Sequence, residues 1–361
     1  MGDDAQNLPS NRREQILKRL RLQGSIRTAA LAEELGVTPI TIRRDISELE
    51  QEGLVTRVRG GARLATQRQL PQVLRAGVTI GFIAPSLDFY WPSIIEGANL
   101  AADEIGARVL LQGSTFSARD NLSQVRQLIE QTQVDALAVV PDVESGDSEK
   151  LIRYLEELTI PVVLVEREAS PRSFTARGLD SVAADHRRGG EMCVQYLLSL
   201  RHSEIALLLD KAIPSRHAIA AGYEEALRAG GFEPVLRCDT TQVEGGERLT
   251  HIKAFATQCI AKGVTAIVVH SDEAALLILE SLLDSGVSVP EDISIVAYDD
   301  ELAAIARPAL SAVAPPKQAL GRYAIRTLAT RLTSPNEPCT HLLIEPTLVI
   351  RDSTGPAPSR H

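Results

Sequence analysis

From residue 78 onward the sequence repeats one rhythm, and that rhythm limits the fold more than any other feature. Short apolar runs stand at VTIGFIAP (78–85), RVLLQG (108–113), ALAVVP (136–141), PVVLVE (161–166), EIALLLD (204–210), TAIVVH (265–270) and ISIVAYD (293–299). Most are separated by about 10–20 residues with helical periodicity. A run that is apolar on both faces must be covered on both, and neighbouring parallel strands need a crossover connection. The alternation therefore predicts an α/β fold with parallel sheets wrapped by helices. A chain of 361 residues is long enough for two or three domains.

The first 64 residues follow a different pattern. Ile16, Leu17 and Leu20 mark one stripe of a helix over about 11–23, stopped by Gly24. Thr28 is placed to cap a second helix with Leu31, Ala32 and Leu35 inward, and Gly36 suits the left-handed position that ends it. Thr38 caps a third helix with Pro39 at its first position, where a missing N–H costs nothing. Ile42, Ile46 and Leu49 form its inner face, so Thr41, Arg43, Arg44 and Ser47 point outward. Leu54 to Val58 then alternate as a strand, and Gly60-Gly61 is a hairpin turn signal. Two short helices followed by a hairpin make a winged helix-turn-helix, with Arg57, Arg59 and Arg63 on the wing.

Charge agrees with this reading. The chain carries a formal net charge of −9, yet residues 1–70 hold 12 Lys and Arg against 9 Asp and Glu. A small cationic segment on an acidic body suits a polyanionic partner. An α-helix fits the major groove of duplex DNA, where arginine reaches phosphate or guanine. The polar stretch ATQRQLPQVLRAG (65–77) reads as a linker.

No GxGxxG follows the first apolar run and no GxxxxGK[ST] occurs, so neither dinucleotide nor nucleotide phosphate is expected. Cys193, Cys238, Cys259 and Cys339 lack the spacing of a zinc site and read as reduced thiols, so no metal or other cofactor is expected. The polar N-terminus does not resemble a signal peptide and no run of about 18 apolar residues occurs, which points to the cytoplasm.

In open α/β sheets ligands bind outside the carboxyl ends of the strands. The residues there are Asp88, Phe89, Tyr90 and Trp91 after the first run, then Glu166, then Ser215, Arg216 and His217, then Ser271 and Asp272, and finally Asp299. Carboxylates accept hydrogen bonds from hydroxyl groups, and an aromatic face covers the C–H side of a sugar ring. Together these residue types suit a neutral polyol or sugar.

Residues Asn11 to Leu64 resemble the DeoR-family DNA-binding domain through REQIL, LAEELGVTPITIRRDISELEQEGL and RVRGGA. By that resemblance Thr41, Arg43 and Arg44 fall on DNA-reading positions. Arg59 stands where the family often has histidine, which keeps a cation in the wing. Residues 78–354 are similar to the LacI-type effector domain, the cytoplasmic relative of periplasmic sugar-binding proteins. The resemblance is specific in ADHRRGG, GYEEALRAGGF and VPEDISIVAYDD, and extends to the closing LIEPTLVIRDST. It implies two Rossmann-like lobes joined by three crossings with ligand in the cleft, one lobe over about 78–181 and 313–340 and the other over about 182–312 and 341–354.

Carried over by motif, Tyr90 and Trp91 fall on an aromatic pair, Glu166 on a usual aspartate, Ser271-Asp272 on a usual Asn-Asp, and Asp299 on the first aspartate of its motif. The family's arginines before the glycine of GY are replaced by His217 and Ile219, with Arg216 one residue off. The post-linker hinge helix of LacI-type repressors lacks its motif, a role left to the wing. The combination implies a transcription regulator, in the first place a repressor, with duplex operator DNA, a small carbohydrate and a second copy of the chain as partners. A DeoR-like sensor of a sugar phosphate and a sugar-modifying enzyme are the alternatives; against the enzyme, no nucleophile motif such as GxSxG is present.

Overall fold

The computed structural model describes residues 9–23, 25–51, 55–58, 60–64, 77–86, 88–114, 117–167, 178–211, 213–240 and 246–359. Two compact units divide the chain, Met1–Gln72 and Val73–His361. The proposed linker, apart from Gly77, lies outside the described residues, as does Gly24.

The N-terminal unit comprises α1 (Pro9–Gln23), β1 (Ser25–Arg27), α2 (Thr28–Glu34), α3 (Pro39–Gln51), β2 (Val55–Val58) and β3 (Gly61–Leu64). Its core joins Ile16 and Leu20 of α1, Leu31 and Ala32 of α2, and Ile42, Ile46 and Leu49 of α3. The caps divide. Thr38 holds the start of α3, whereas Thr28 is already helical and the cap position belongs to Arg27, whose side chain makes no capping bond. The cause is β1, a strand the sequence pattern hid. It runs straight into α2, pairs antiparallel with β3, and lets the Thr28 amide donate to the Gly60 carbonyl at 2.9 Å. The wing turn requires its glycines. Gly60 has φ +84, and a Cβ on Gly61 would stand 1.8 Å from the Ile26 carbonyl oxygen.

The larger unit runs β4 (Thr79–Ala84), α4 (Tyr90–Glu104), β5 (Arg108–Gly113), α5 (Ala118–Gln127), β6 (Ala136–Val139), α6 (Ser148–Glu157), β7 (Val162–Val165), β8 (Asp180–Ala184), α7 (His186–Ser199), β9 (Ile205–Asp210), α8 (Arg216–Ala229), β10 (Leu236–Thr240), α9 (Gly246–Ala261), β11 (Ala266–Val269), α10 (Asp272–Asp284), β12 (Ser294–Tyr298), β13 (Ser311–Ala314), α11 (Lys317–Thr333), β14 (His341–Ile344) and β15 (Thr347–Val349). All seven apolar runs form strands. They divide between two six-stranded sheets, ordered β14-β8-β7-β6-β4-β5 and β10-β9-β11-β12-β13-β15. Every pairing is parallel except that of β15 with β13.

Each sheet is the centre of one lobe. The chain passes between lobes after β8, after β13 and after β14. The strands move the sequence-based lobe limits by a few residues. Residues 182–184 and 341–344 pair with each other in the first sheet, and 313–314 pair in the second, because the chain leaves a lobe only once a strand has finished pairing. In the first lobe α4 and α11 approach backbone to backbone, as a Cβ on Gly321 would stand 1.9 Å from the Ile94 carbonyl oxygen. In the second lobe, α9 and α10 cover one face of the sheet through Ile252, Phe255, Ile278 and Leu282. The other face is covered through Val194, Leu197, Tyr223 and Leu227.

Candidate functional site

The first candidate surface is the outer face of α3. Ile42, Ile46 and Leu49 are at most 2% exposed, which fixes the helix's inner side. Buried Asp45 clamps α3 to α1, taking bonds from Arg12 Nε at 2.5 Å and Nη2 at 3.0 Å. Thr38 Oγ1 accepts from the Thr41 amide at 3.2 Å and lies 3.0 Å from the Thr41 hydroxyl. Both threonines are thus engaged in the helix cap, and Thr41 is half-buried rather than free. Arg43 is exposed, and the Arg44 side chain is 83% exposed with Glu48 at 3.4 Å.

Ser47 and Arg57 are not independent outward groups. Ser47 Oγ donates to the Arg43 carbonyl at 2.8 Å and accepts from Arg57 Nη2, which ties α3 to the β2–β3 hairpin. Arg59 lies outside the described residues. Arg63 is in β3, and its side chain is likewise outside them.

The second candidate is the cleft between the two lobes. An outer cavity of about 310 Å³ and an inner one of about 90 Å³ share Tyr90, Trp91, Ile213 and Asp299 in their walls. Asp88, Phe89, Ser271 and Asp272 face the outer cavity, while Glu166 and Ser215 face the inner. Trp91 is buried and stands edge-on to Tyr90, with ring centroids 5.5 Å apart. Several of these residues hold backbone conformations unusual for L-residues: Phe89 has φ +49, Glu166 +58 and Asp299 +102. Strain gathered at strand ends is the pattern of a ligand site.

A buried polar chain runs beneath the inner cavity. Tyr90 Oη donates to Glu166 Oε1 at 2.8 Å, His186 Nε2 lies 2.9 Å from Glu166 Oε2, and His186 Nδ1 lies 3.2 Å from Tyr298 Oη. Burial alone would raise the Glu166 carboxyl, but His186, Tyr90 and Arg167 outweigh it and hold it below the usual range. Both Glu166 oxygens are therefore already bonded, and the residue presents a fixed, ionised wall. Asp272 differs. One oxygen accepts the amides of Glu301, Leu302 and Ala303 at 2.5, 2.7 and 3.1 Å, while Oδ1 is buried with no partner. Burial pushes its carboxyl up to about 6 against those amides, with the Asp299 charge adding to the rise.

Two predicted residues leave the cleft wall. Arg216 Nη1 bonds Glu144 at 2.9 and 3.1 Å, and His217 Nε2 is 3.5 Å from the same carboxylate. Both begin α8, and they reach across to the loop after β6 instead of into a cavity. They link the two lobes.

Sequence reading also missed wall residues. Asp210 and His270 end strands that were recognised. Arg167 follows Glu166 and is 8% exposed; among the described residues its guanidinium finds one acceptor, the Glu166 carbonyl at 2.6 Å, and its Nε has none. Arg248, 3.8 Å from Asp210 and 3.4 Å from Glu273, enters from α9, and nothing in its local sequence marks it. Lys317 at the start of α11 binds the Asp299 carbonyl and Glu301, fixing the β12 end from the opposite lobe.

A larger hollow of about 550 Å³ lies in the first lobe, lined by Pro161, Asp180, Arg331 and Cys339. Its buried acid is satisfied, Arg331 binding Asp180 at 2.5 and 2.9 Å. The cleft, in contrast, leaves buried polar atoms unpartnered, and this makes it the better ligand site. Among the described residues no group of His, Cys, Asp and Glu is arranged to hold a metal ion, and no helix is long and apolar enough to cross a membrane.

Comparison with known proteins finds matches in both units. Residues 12–68 match the DeoR-like helix-turn-helix domain, and residues 194–354 match the periplasmic binding protein-like domain. The chain is 24% identical to the HTH-type transcriptional regulator DegA of Bacillus subtilis over 90% of its own length and 97% of that protein. It is 29% identical to the ribose operon repressor of Haemophilus influenzae, over 68% of this chain and 71% of the relative. Among solved structures, the lac repressor dimer bound to operator and the anti-inducer ONPF superimposes with a TM-score of 0.66 at 23% identity, covering 78% of this chain and 95% of that one.

Proposed function

We infer that this chain, a DeoR-like helix-turn-helix domain joined to a periplasmic binding protein-like domain of the LacI-regulator fold, is a transcription repressor whose hold on operator DNA is set by a small neutral carbohydrate. The observation that carries the reading is the pairing of two unsatisfied surfaces on one chain. Arg43 and Arg44 stand exposed opposite the α3 core, and buried donor and acceptor atoms without partners, Arg167 Nε and Asp272 Oδ1, adjoin the cleft beside Trp91. A sugar supplies both acceptors and donors, with a C–H face for the aromatic ring. Such a protein binds without turnover and acts as a homodimer or higher homo-oligomer, because two linked heads engage a two-fold site far more tightly than one.

The wall supports neutrality. Asp88, Asp210, Asp272, Glu273, Asp299 and Glu301 face the outer cavity against one cation among its lining residues, Arg248, which lies near Asp210 and Glu273, so a dianionic phosphate there would meet an excess of like charge. Trp91 is the chain's single tryptophan, so its emission reports the cleft directly. Free sugars titrated into the full chain are expected to change that emission and to alter retention of an operator selected from random duplexes. A response to sugar phosphates alone would instead favour a phosphate sensor. Replacing Arg43 and Arg44 together by alanine is expected to abolish operator binding with the Trp91 response intact.

A further inference from the structure

The outer face of α3 carries one side chain that does not belong with cations. Ile40 is 74% exposed, the most exposed of the large apolar side chains among the described residues. It is absent from the core cluster that takes Ile42, Ile46 and Leu49. Ile40, Arg43, Arg44 and Ser47 follow the i, i+3, i+4, i+7 spacing of a single helix face, opposite that core. An isolated exposed aliphatic residue is ordinary on a protein surface. This one lies in the first turn of the recognition helix, and in helix-turn-helix docking that end of the helix meets base edges.

The surroundings fit one partner. Exposed Arg43 and Arg44 share the face with Ile40, so the surface is complementary to a polyanion rather than to an apolar protein groove. On the floor of the major groove the only apolar feature is the thymine C5-methyl group. We propose that Ile40 is a sequence-reading residue that packs on a thymine methyl group in each operator half-site, beside the phosphate or guanine contacts of Arg43 and Arg44. The proposal rests on the operator-binding reading given above. It adds a base preference that arginines alone do not supply.

The test uses the full chain and an operator selected from random duplexes. Each thymine is replaced in turn by uracil, which removes the methyl group and nothing else. For the wild-type chain one thymine per half-site is expected to lose about four-fold in affinity on that change, the worth of one buried methyl group. Ile40→Ala is expected to bind the unmodified operator about as weakly as the wild type binds a duplex with that thymine replaced in both half-sites, and to be indifferent to uracil there. The exposure of Ile40 makes the variant's unfolding midpoint a control that should not move. Wild-type indifference to uracil at every position, or an undiminished methyl preference in Ile40→Ala, overturns the proposal while leaving operator binding standing. Failure to select any duplex removes the operator reading and the proposal with it. Loss of operator affinity in Ile40→Ala with no methyl dependence in the wild type likewise overturns the proposal, since the side chain then acts through something other than a thymine methyl group.

Discussion

At the scale of single residues, the cleft keeps groups that the folded chain would be more stable without. Asp272 is the clearest. Its folded carboxyl is raised from 3.8 to about 6, so the proton is held more tightly in the folded state. The stability this gives is fully present below about pH 4 and is lost as pH rises through about 6. Asp272→Asn keeps an acceptor for the loop amides and cannot ionise. In urea unfolding it is expected to gain on the wild type as pH rises from about 4 to about 7, by up to about 3 kcal/mol in all. Equal pH profiles for the two proteins would remove Asp272 as the source. Arg167 is a second case: burial lowers its pKa against the attraction of Glu166, and among the described residues its side chain makes no hydrogen bond to a carboxylate. Because its desolvation outweighs the attraction of the nearby carboxylates, Arg167→Met should leave the ligand-free protein no less stable. It should weaken carbohydrate binding by about ten-fold or more, the worth of a charge-assisted hydrogen bond, read from Trp91 emission.

At the scale of elements, one ion pair holds the reading head together. Arg12 and Asp45 join α1 to α3 in the domain interior, so Arg12→Met strands a buried carboxylate. A loss of about 3–5 kcal/mol is expected, seen as early unfolding of the N-terminal unit while the unfolding of the larger unit, followed by Trp91, is unchanged. Coincident shifts of both transitions would contradict this. The elements also show what was legible beforehand. The seven long apolar runs were plain, because a strand covered on both faces can hold little else. The α3 cap and the wing turn were plain from Thr38 and Gly60-Gly61. β1, β8, β10 and β13–β15 were not read as strands. They are short, and β10, β14 and β15 are half-exposed edge segments stabilised by neighbours distant in sequence. The same limit applied to the site. Strand-end acids could be listed from the pattern, but the entry of Arg248 from α9 and the turn of Arg216 and His217 toward Glu144 depend on how helices pack.

At the scale of the whole molecule, the lobes are fastened across the cleft by Arg216 and Glu144, groups that belong to neither cavity wall. Arg216→Ala is expected to weaken sugar binding by about two- to five-fold, the worth of a partly exposed ion pair, with operator affinity in the absence of sugar changed little. Linkage adds a stricter requirement. The factor by which sugar changes operator affinity must equal the factor by which operator changes sugar affinity, typically about 5–150-fold. A factor of about one in both directions, measured at one salt concentration, would show that head and cleft are not coupled.

The route of the chain through its two sheets has a temporal consequence. β13 and β15 complete the second sheet and β14 the first, so both depend on residues 311–349. During synthesis the N-terminal unit has all its strands hundreds of residues earlier, and can fold at the ribosome while the sensing part is still unfinished. The head of a newly made copy can thus be folded before the part that is to regulate it, and any stall in translation ahead of residue 311 leaves a head without its switch.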